Sequence, residues 1–274
     1  SDNFDSGTNW TIDNDGQSGA TYGWTIDAVS DGWWSASGIS SNSGGGFAEL
    51  ANGDPTQNPR TQALDVTYTM TSIALDIPNL PANTGNTDQV TLQYQEFGAR
   101  FNDEQLVQIS TDGGMSWTTI RDNSDHYGVL SQSQPNNAYP NPSDISINLA
   151  PYITGNASSV QIRFSWTTAF PSLSTNANVW VAYGWYIDDV KIFTNPDNDI
   201  EAQEPYWGTA FLNYSMIPTT QVAPIDFTVN AFNNGIATQN NVELNVDFNG
   251  GAWTGVSQSA TIPVGAYDSL VLAT

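Results

Sequence analysis

The chain has no cysteine, which removes disulfides, thiolate metal sites and cysteine nucleophiles together. It has one histidine, His126, and only five Lys and Arg against 28 Asp and Glu, giving a formal charge of -23 and a pI near 4.1. Such a surface repels phosphates and anionic headgroups at long range, so nucleic acid and anionic membrane are excluded as natural partners. No apolar run approaches the roughly 18 residues that span a bilayer, so the chain does not read as membrane-spanning. The motifs H-E-x-x-H, G-x-S-x-G and the phosphate-binding glycine loop are missing, which leaves zinc peptidase, hydrolase and nucleotide chemistry without their minimum residues. Charged residues are 12% of the chain, against roughly 25% in an average globular protein. Solubility therefore rests on Asn, Ser, Thr and Gln, a composition common among extracellular bacterial β-proteins. Without disulfides, an exported protein finds its rigidity elsewhere, and bound calcium is one route.

What is present is alternation of period two. Val90, Leu92 and Tyr94 alternate with polar residues, and so do Val107 and Ile109 before the turn at Asp112, Gly113 and Gly114. That pattern predicts a hairpin whose return strand opens at Trp117. Val160, Ile162, Phe164 and Trp166 alternate again. W-T-I-D occurs at residues 10–13 and 24–27, which reads as short aromatic strands between polar turns, and D-N-D-G at residues 13–16 reads as a turn. Residues 122–142 form a long polar loop carrying His126, Tyr127 and Tyr139. T-N-P-D-N-D-I-E at residues 194–201 is the domain boundary, with acids at Asp197, Asp199 and Glu201 that suit a solvated linker or a calcium clamp. Beyond it, Ile225, Phe227, Val229 and Ala231 alternate, as do Val242, Leu244, Val246 and Phe248.

The stretch W-V-A-Y-G-W-Y-I-D-D-V-K-I-F, residues 180–193, organises the rest. An unbroken strand puts Tyr186, Asp188, Val190 and Ile192 on one side and Ile187, Asp189, Lys191 and Phe193 on the other. Asp188 then shares a face with the apolar set. A buried carboxylate is costly unless protonated, hydrogen-bonded or bound to a cation. With so few Lys and Arg, a metal ion suits it best, and hydrogen bonding to local backbone amides is the alternative.

An aromatic followed by I-D-D-V-x-I, together with N-F-D-S-G-x-x-W at residues 3–10, resembles the concanavalin-like jelly rolls of the MAM type. Such sandwiches accompany secreted peptidases and surface proteins, including type IX secretion cargo of Bacteroidota. V-Q-I-S-T-D-G-G-M-S-W-T-T-I at residues 107–120 and the pair I-N-L-A-P-Y-I and V-Q-I-R-F-S-W within residues 147–166 are similar to that family's landmarks. The resemblance covers about residues 1–195. It implies an extracellular or cell-surface location and one structural calcium ion held by Asp5 and Asp188, with Asp31 and Asp189 as helpers. The two strands after the boundary resemble immunoglobulin-like bacterial spacers. A complete immunoglobulin-like domain needs ~100 residues, so residues 196–274 read as an incomplete one. The chain is then a mature or excised piece of a larger exported protein.

The expected fold is all-β: a jelly-roll β-sandwich over residues 1–195, then a smaller immunoglobulin-like β-sandwich. The expected function is non-enzymatic, a calcium-stabilised adhesion or surface-interaction segment. The alternatives are a carbohydrate-binding module or an ancillary domain of a secreted peptidase. Ten tryptophans invite sugar stacking, although Trp10, Trp117, Trp166 and Trp185 sit in alternating strands and read as core. Trp33 and Trp34 cannot both face inward on a strand. With Tyr127 and Tyr139 they are the candidates for contact with a surface glycan or protein ligand.

Overall fold

The computed structural model describes residues 1–7, 9–16, 23–30, 38–50, 67–80, 89–101, 103–168, 183–207, 226–248 and 250–273. Asp31, Trp33 and Trp34 lie outside them. The chain divides into two compact units, Ser1–Thr194 and Asn195–Thr274.

The first unit holds ten strands: β1 (Trp10–Asp13), β2 (Trp24–Asp27), β3 (Phe47–Leu50), β4 (Thr67–Ser72), β5 (Val90–Gly98), β6 (Asp103–Ser110), β7 (Thr118–Asp122), β8 (Ser143–Asn148), β9 (Gln161–Thr168) and β10 (Trp185–Thr194). They make two antiparallel five-stranded sheets, in the orders β1-β4-β9-β6-β7 and β2-β3-β10-β5-β8. Alternation decides which side chains fill the space between them. Leu92 and Tyr94 of β5, Trp185 and Ile187 of β10, Tyr68 and Met70 of β4, and Phe164 and Trp166 of β9 all join one buried cluster. Phe164 is its hub, with ring centroids 5.2 Å from Tyr94, 5.8 Å from Trp185 and 6.4 Å from Trp24. Trp24 belongs to this core as well, although only the other strand tryptophans were expected there. Trp117 does not. Its ring lies 3.7 Å from the Arg163 guanidinium on the outer face of the other sheet, a cation–π contact.

One end of the sandwich carries a polar network inside the apolar core. Glu96 is fully buried and accepts from Asn123 at 3.0 Å, Trp185 at 3.0 Å and Arg121 at 3.2 Å. Tyr139 donates to Gln105 at 2.5 Å, and Asp103 accepts from Gln105 at 2.9 Å and Trp166 at 2.6 Å. Burial pushes the Asp103 carboxyl above the ordinary aspartate value, and these hydrogen bonds hold it back.

The strand at residues 185–194 departs from the expected phase. Asp188 pairs with Gln95 but Lys191 pairs with Gln93, so Asp189 and Val190 together oppose Tyr94 in a β-bulge. Asp189 takes a positive φ of 52° to make it. Trp185, Ile187 and Val190 therefore face the inter-sheet core, while Tyr186 joins Ile39, Phe47 and Phe97 in a separate cluster on the outer face. Asp188 does not share the side of Val190 and Ile192. Lys191 turns outward instead of siding with Ile187.

The second unit is also all-β, so a sandwich followed by a smaller β region describes the chain. It comprises β11 (Ile200–Trp207), β12 (Phe227–Asn233), β13 (Gln239–Val242), β14 (Asn245–Phe248), β15 (Trp253–Val256), β16 (Ala260–Ile262) and β17 (Tyr267–Leu272). Strands pair as β11-β12-β17, β13-β16 and β14-β15. Val229, Ala231, Ile262 and Leu270 form its small core. The run from Val242 to Phe248 divides at Leu244, because its halves pair with different partners.

Candidate functional site

The site grows out of the β10 bulge. The first sheet neighbour, β3, pairs only with residues 185–187 of β10, and the N-terminal segment takes over beyond it through a bridge between Asp2 and Val190. That brings Asp5 beside residues 45 and 46. A Cβ at Gly46 would stand 2.5 Å from the Phe4 carbonyl oxygen, and one at Gly45 2.6 Å from Asp5 Oδ1. The glycine run is thus required by close approach of the chain start.

Three acids grip this same segment. Asp5 Oδ1 accepts from the Gly46 amide at 3.1 Å, and Asp189 Oδ2 accepts from the Ser43 amide at 3.1 Å. Asp188 accepts from the hydroxyls of Ser41 and Ser43 and, through Oδ1, from the Asp189 amide at 2.7 Å. Asp188 is 1% exposed and makes no ion pair among the described residues. Burial pushes its carboxyl up to about 6, more than the Ser41 and Asp189 hydrogen bonds can offset. Of the local backbone amides that the alternative reading expected, Asp188 has one, that of Asp189, beside two serine hydroxyls, and none of these partners carries a positive charge. Carboxylate and hydroxyl oxygens are donors of the kind calcium takes. Among the described residues, no three His, Asp or Glu side chains come together to hold a metal. An ion here would draw the rest of its six to eight oxygens from hydroxyls, carbonyls and water.

Beside this latch lies a groove of about 770 Å³, lined by Asn42 and Ser43 from the gripped segment, Gln93 and Gln95 of β5, Asp144 of β8, and Asp189 and Lys191 of β10, with Asp2 and Asn3 at one rim. Its floor is the polar face of β5, β8 and β10. Gln95 is spent internally, accepting from the Asn42 amide at 2.8 Å and donating to Asp144 at 2.7 Å. Gln93 donates to Ser146 at 3.2 Å, which leaves its carbonyl oxygen open. Among the described residues, the Asn42 carboxamide and the Lys191 ammonium make no hydrogen bond, and one oxygen each of Asp144 and Asp189 accepts none. Tyr94 also lines the groove, but it is fully buried and offers no ring face.

The aromatic candidates fare differently. Tyr139 is 3% exposed, stacked on Tyr127 at 3.8 Å and hydrogen-bonded to Gln105, so it belongs to the core and not to a ligand surface. Tyr127 is half-buried and bonds Ser143 at 2.9 Å. His126 is exposed and lies edge-on to Tyr127. The structure thus brings Asp5, Asp188 and Asp189 to one segment, and does not gather Tyr127 and Tyr139 with them. The groove residues Asn42, Gln93, Asp144 and Lys191 were missed, although the polar half of the alternation around Leu92 and Tyr94 held the signal.

No family model matches the chain, and neither does any curated protein. Among solved structures, it is similar to a family 61 carbohydrate-binding module, TmCBM61, in complex with β-1,4-galactotriose, with 11% identity, 70% of this chain and 94% of that one covered, and a TM-score of 0.35. It is similar also to the CBM22-2 xylan-binding domain from Paenibacillus barcinonensis Xyn10C, at 10% identity, 71% and 98% coverage and a TM-score of 0.35. A third is the family 11 module of a cellulosomal cellulase of Clostridium thermocellum, at 10% identity, 70% and 92% coverage and a TM-score of 0.34.

Proposed function

We propose that the first unit is a non-catalytic carbohydrate-binding β-sandwich of an exported, surface-acting protein, and that the groove over β5, β8 and β10 is its glycan site. The observation that carries this reading is the set of open polar groups in that groove: the Gln93 carbonyl, the Asn42 carboxamide, the remaining oxygens of Asp144 and Asp189, and the Lys191 ammonium. A sugar presents a dense array of hydroxyls that donate and accept at once, and this set supplies both complements. The groove falls in the ~300–1,000 Å³ range of small-ligand sites, and its floor is a hydrogen-bonded sheet, which needs little ordering on binding. A glycan array followed by calorimetry tests it. A bound oligosaccharide should lose about tenfold or more in affinity on Gln93→Ala or Asn42→Ala; binding that survives both would place the site elsewhere.

We also propose that Asp5 and Asp188 hold one calcium ion against residues 41–46, with Asp189 as helper, in the role that adhesion and surface-interaction modules give to structural calcium. Asp188, buried and without an ion pair among the described residues, supports this. Calcium that binds only the folded state raises the melting temperature as its concentration passes the dissociation constant. Equal melting in calcium and in chelator would remove the ion from the account and leave the groove standing.

A further inference from the structure

Resting on the carbohydrate reading, we infer that Lys191 anchors the ligand in this groove, and that the groove takes uncharged glycans in preference to uronates and sulfated sugars. Lys191 is the only lysine in the chain. The arginines of the described residues are committed elsewhere: Arg100 donates to the Tyr127 carbonyl at 2.8 Å, Arg121 pairs with Glu96, and Arg163 lies over Trp117. The Lys191 ammonium makes neither an ion pair nor a hydrogen bond among the described residues, its one ring contact being the longer one to Phe193 at 5.7 Å, in a chain of net charge -23. It stands in the groove because of the bulge. The extra residue opposite Tyr94 reverses the phase of β10 and carries Lys191 from the inward to the outward face, next to Gln93. A strained, positive-φ residue at Asp189 thus delivers the groove's one side-chain cation.

Charge decides the ligand class. With no ion on Asp189, the lining sets the carboxylates of Asp2, Asp144 and Asp189 against the ammonium of Lys191 and the terminal amine of Ser1. The ammonium has three protons to give to hydroxyl and ring oxygens, and the carboxylates accept from sugar hydroxyls. A uronate or sulfate would place a further negative group among groups that already outnumber their counter-charge. Each unmatched carboxylate near hydrogen-bonding range should weaken it about three- to fivefold in aqueous surroundings. A neutral sugar meets no such repulsion.

The single lysine supplies the experiment. Reductive methylation with a ¹³C label marks Lys191 and the terminal amine, and the resonance missing from labelled Lys191→Gln is the one assigned to Lys191. The labelled protein is titrated with β-1,4-linked neutral tetrasaccharides of galactose, xylose, mannose and glucose, and with trigalacturonate; affinities are measured by calorimetry on unlabelled protein. At least one neutral tetrasaccharide should shift the Lys191 resonance saturably. Lys191→Gln should weaken that ligand tenfold or more with an unchanged melting temperature, and trigalacturonate should bind at least tenfold more weakly. Asp144→Asn should narrow that gap about three- to fivefold. Asp125→Asn, an equal charge change in the exposed turn after β7, should leave it. Trigalacturonate binding as tightly as the neutral sugars, full affinity in Lys191→Gln, or equal narrowing by Asp125→Asn would overturn the inference while the carbohydrate reading stood. Absence of binding to every glycan on an array would overturn both.

Discussion

Two buried acids in the same sandwich meet opposite surroundings. Glu96 sits inside the core with an arginine, an asparagine and a tryptophan aimed at its oxygens, whereas Asp188 sits on the outer face with two serine hydroxyls and one amide. A guanidinium supplies the opposite charge that offsets desolvation, and hydroxyls supply only dipoles. Glu96 is complete within the chain. Asp188 has no cationic partner among the described residues, and burial pushes its carboxyl up to about 6. Burial of an acid is therefore a poor guide to function, and mismatch between its charge and its partners is the better one.

The sharpest way to break this contrast is to make Glu96 resemble Asp188. Arg121→Met leaves Glu96 buried without its counter-charge and should cost about 3–5 kcal/mol in denaturant unfolding. A loss under ~1 kcal/mol would show that Asn123 and Trp185 suffice, and the contrast would fail.

Asp188→Asn works in the other direction, and its sign depends on calcium. With chelator at pH 7 the variant should melt above wild type, because it no longer buries an unmatched charge. With calcium at about 100 times the dissociation constant, wild type gains about 2.7 kcal/mol and the order should reverse. The pH dependence follows by linkage. The folded carboxyl, held at about 6, takes up its proton before the unfolded one near 3.8 does. Chelated wild type should therefore gain stability as pH falls from 7 through 6 toward 4, with nothing further gained from this group below that, and Asp188→Asn should lack the gain. A chelated wild type that loses stability over that window in step with the variant would contradict the assignment.

The smallest effect concerns an arginine whose partner is a ring. Arg163→Gln removes the cation above Trp117 on the other sheet and should cost about 0.5–1 kcal/mol. A loss above ~2 kcal/mol would mean that Arg163 carries a structural weight closer to that of Arg121.

Much of the fold was legible in the residues, and the reasons are physical. Leu92 and Tyr94, Val107 and Ile109, and Ile162, Phe164 and Trp166 alternate without interruption, and they face the core because a pleated strand allows nothing else. The β10 strand was legible as a strand but not in phase. A bulge depends on backbone strain at one residue, Asp189, whose side chain carries no mark of it. That one shift misplaced Asp188 and hid Lys191. Tyr139 looked like a loop aromatic because its neighbours are polar, yet its partner Gln105 lies 34 residues away in sequence. The groove was illegible for the same reason, since Asn42, Gln93, Asp144 and Lys191 meet only through the β8-β5-β10 pairing and the N-terminal bridge.

The most direct test of the central claim is a map of backbone amide shifts on binding. Isotope-labelled protein would be titrated with the oligosaccharide that gives the strongest response on a glycan array. The groove reading predicts saturable shifts concentrated at Asn42, Ser43, Gln93, Gln95, Asp144 and Lys191, with the Trp117 and Arg163 face silent. Saturable shifts that leave those six amides unmoved and cluster on another surface would contradict it.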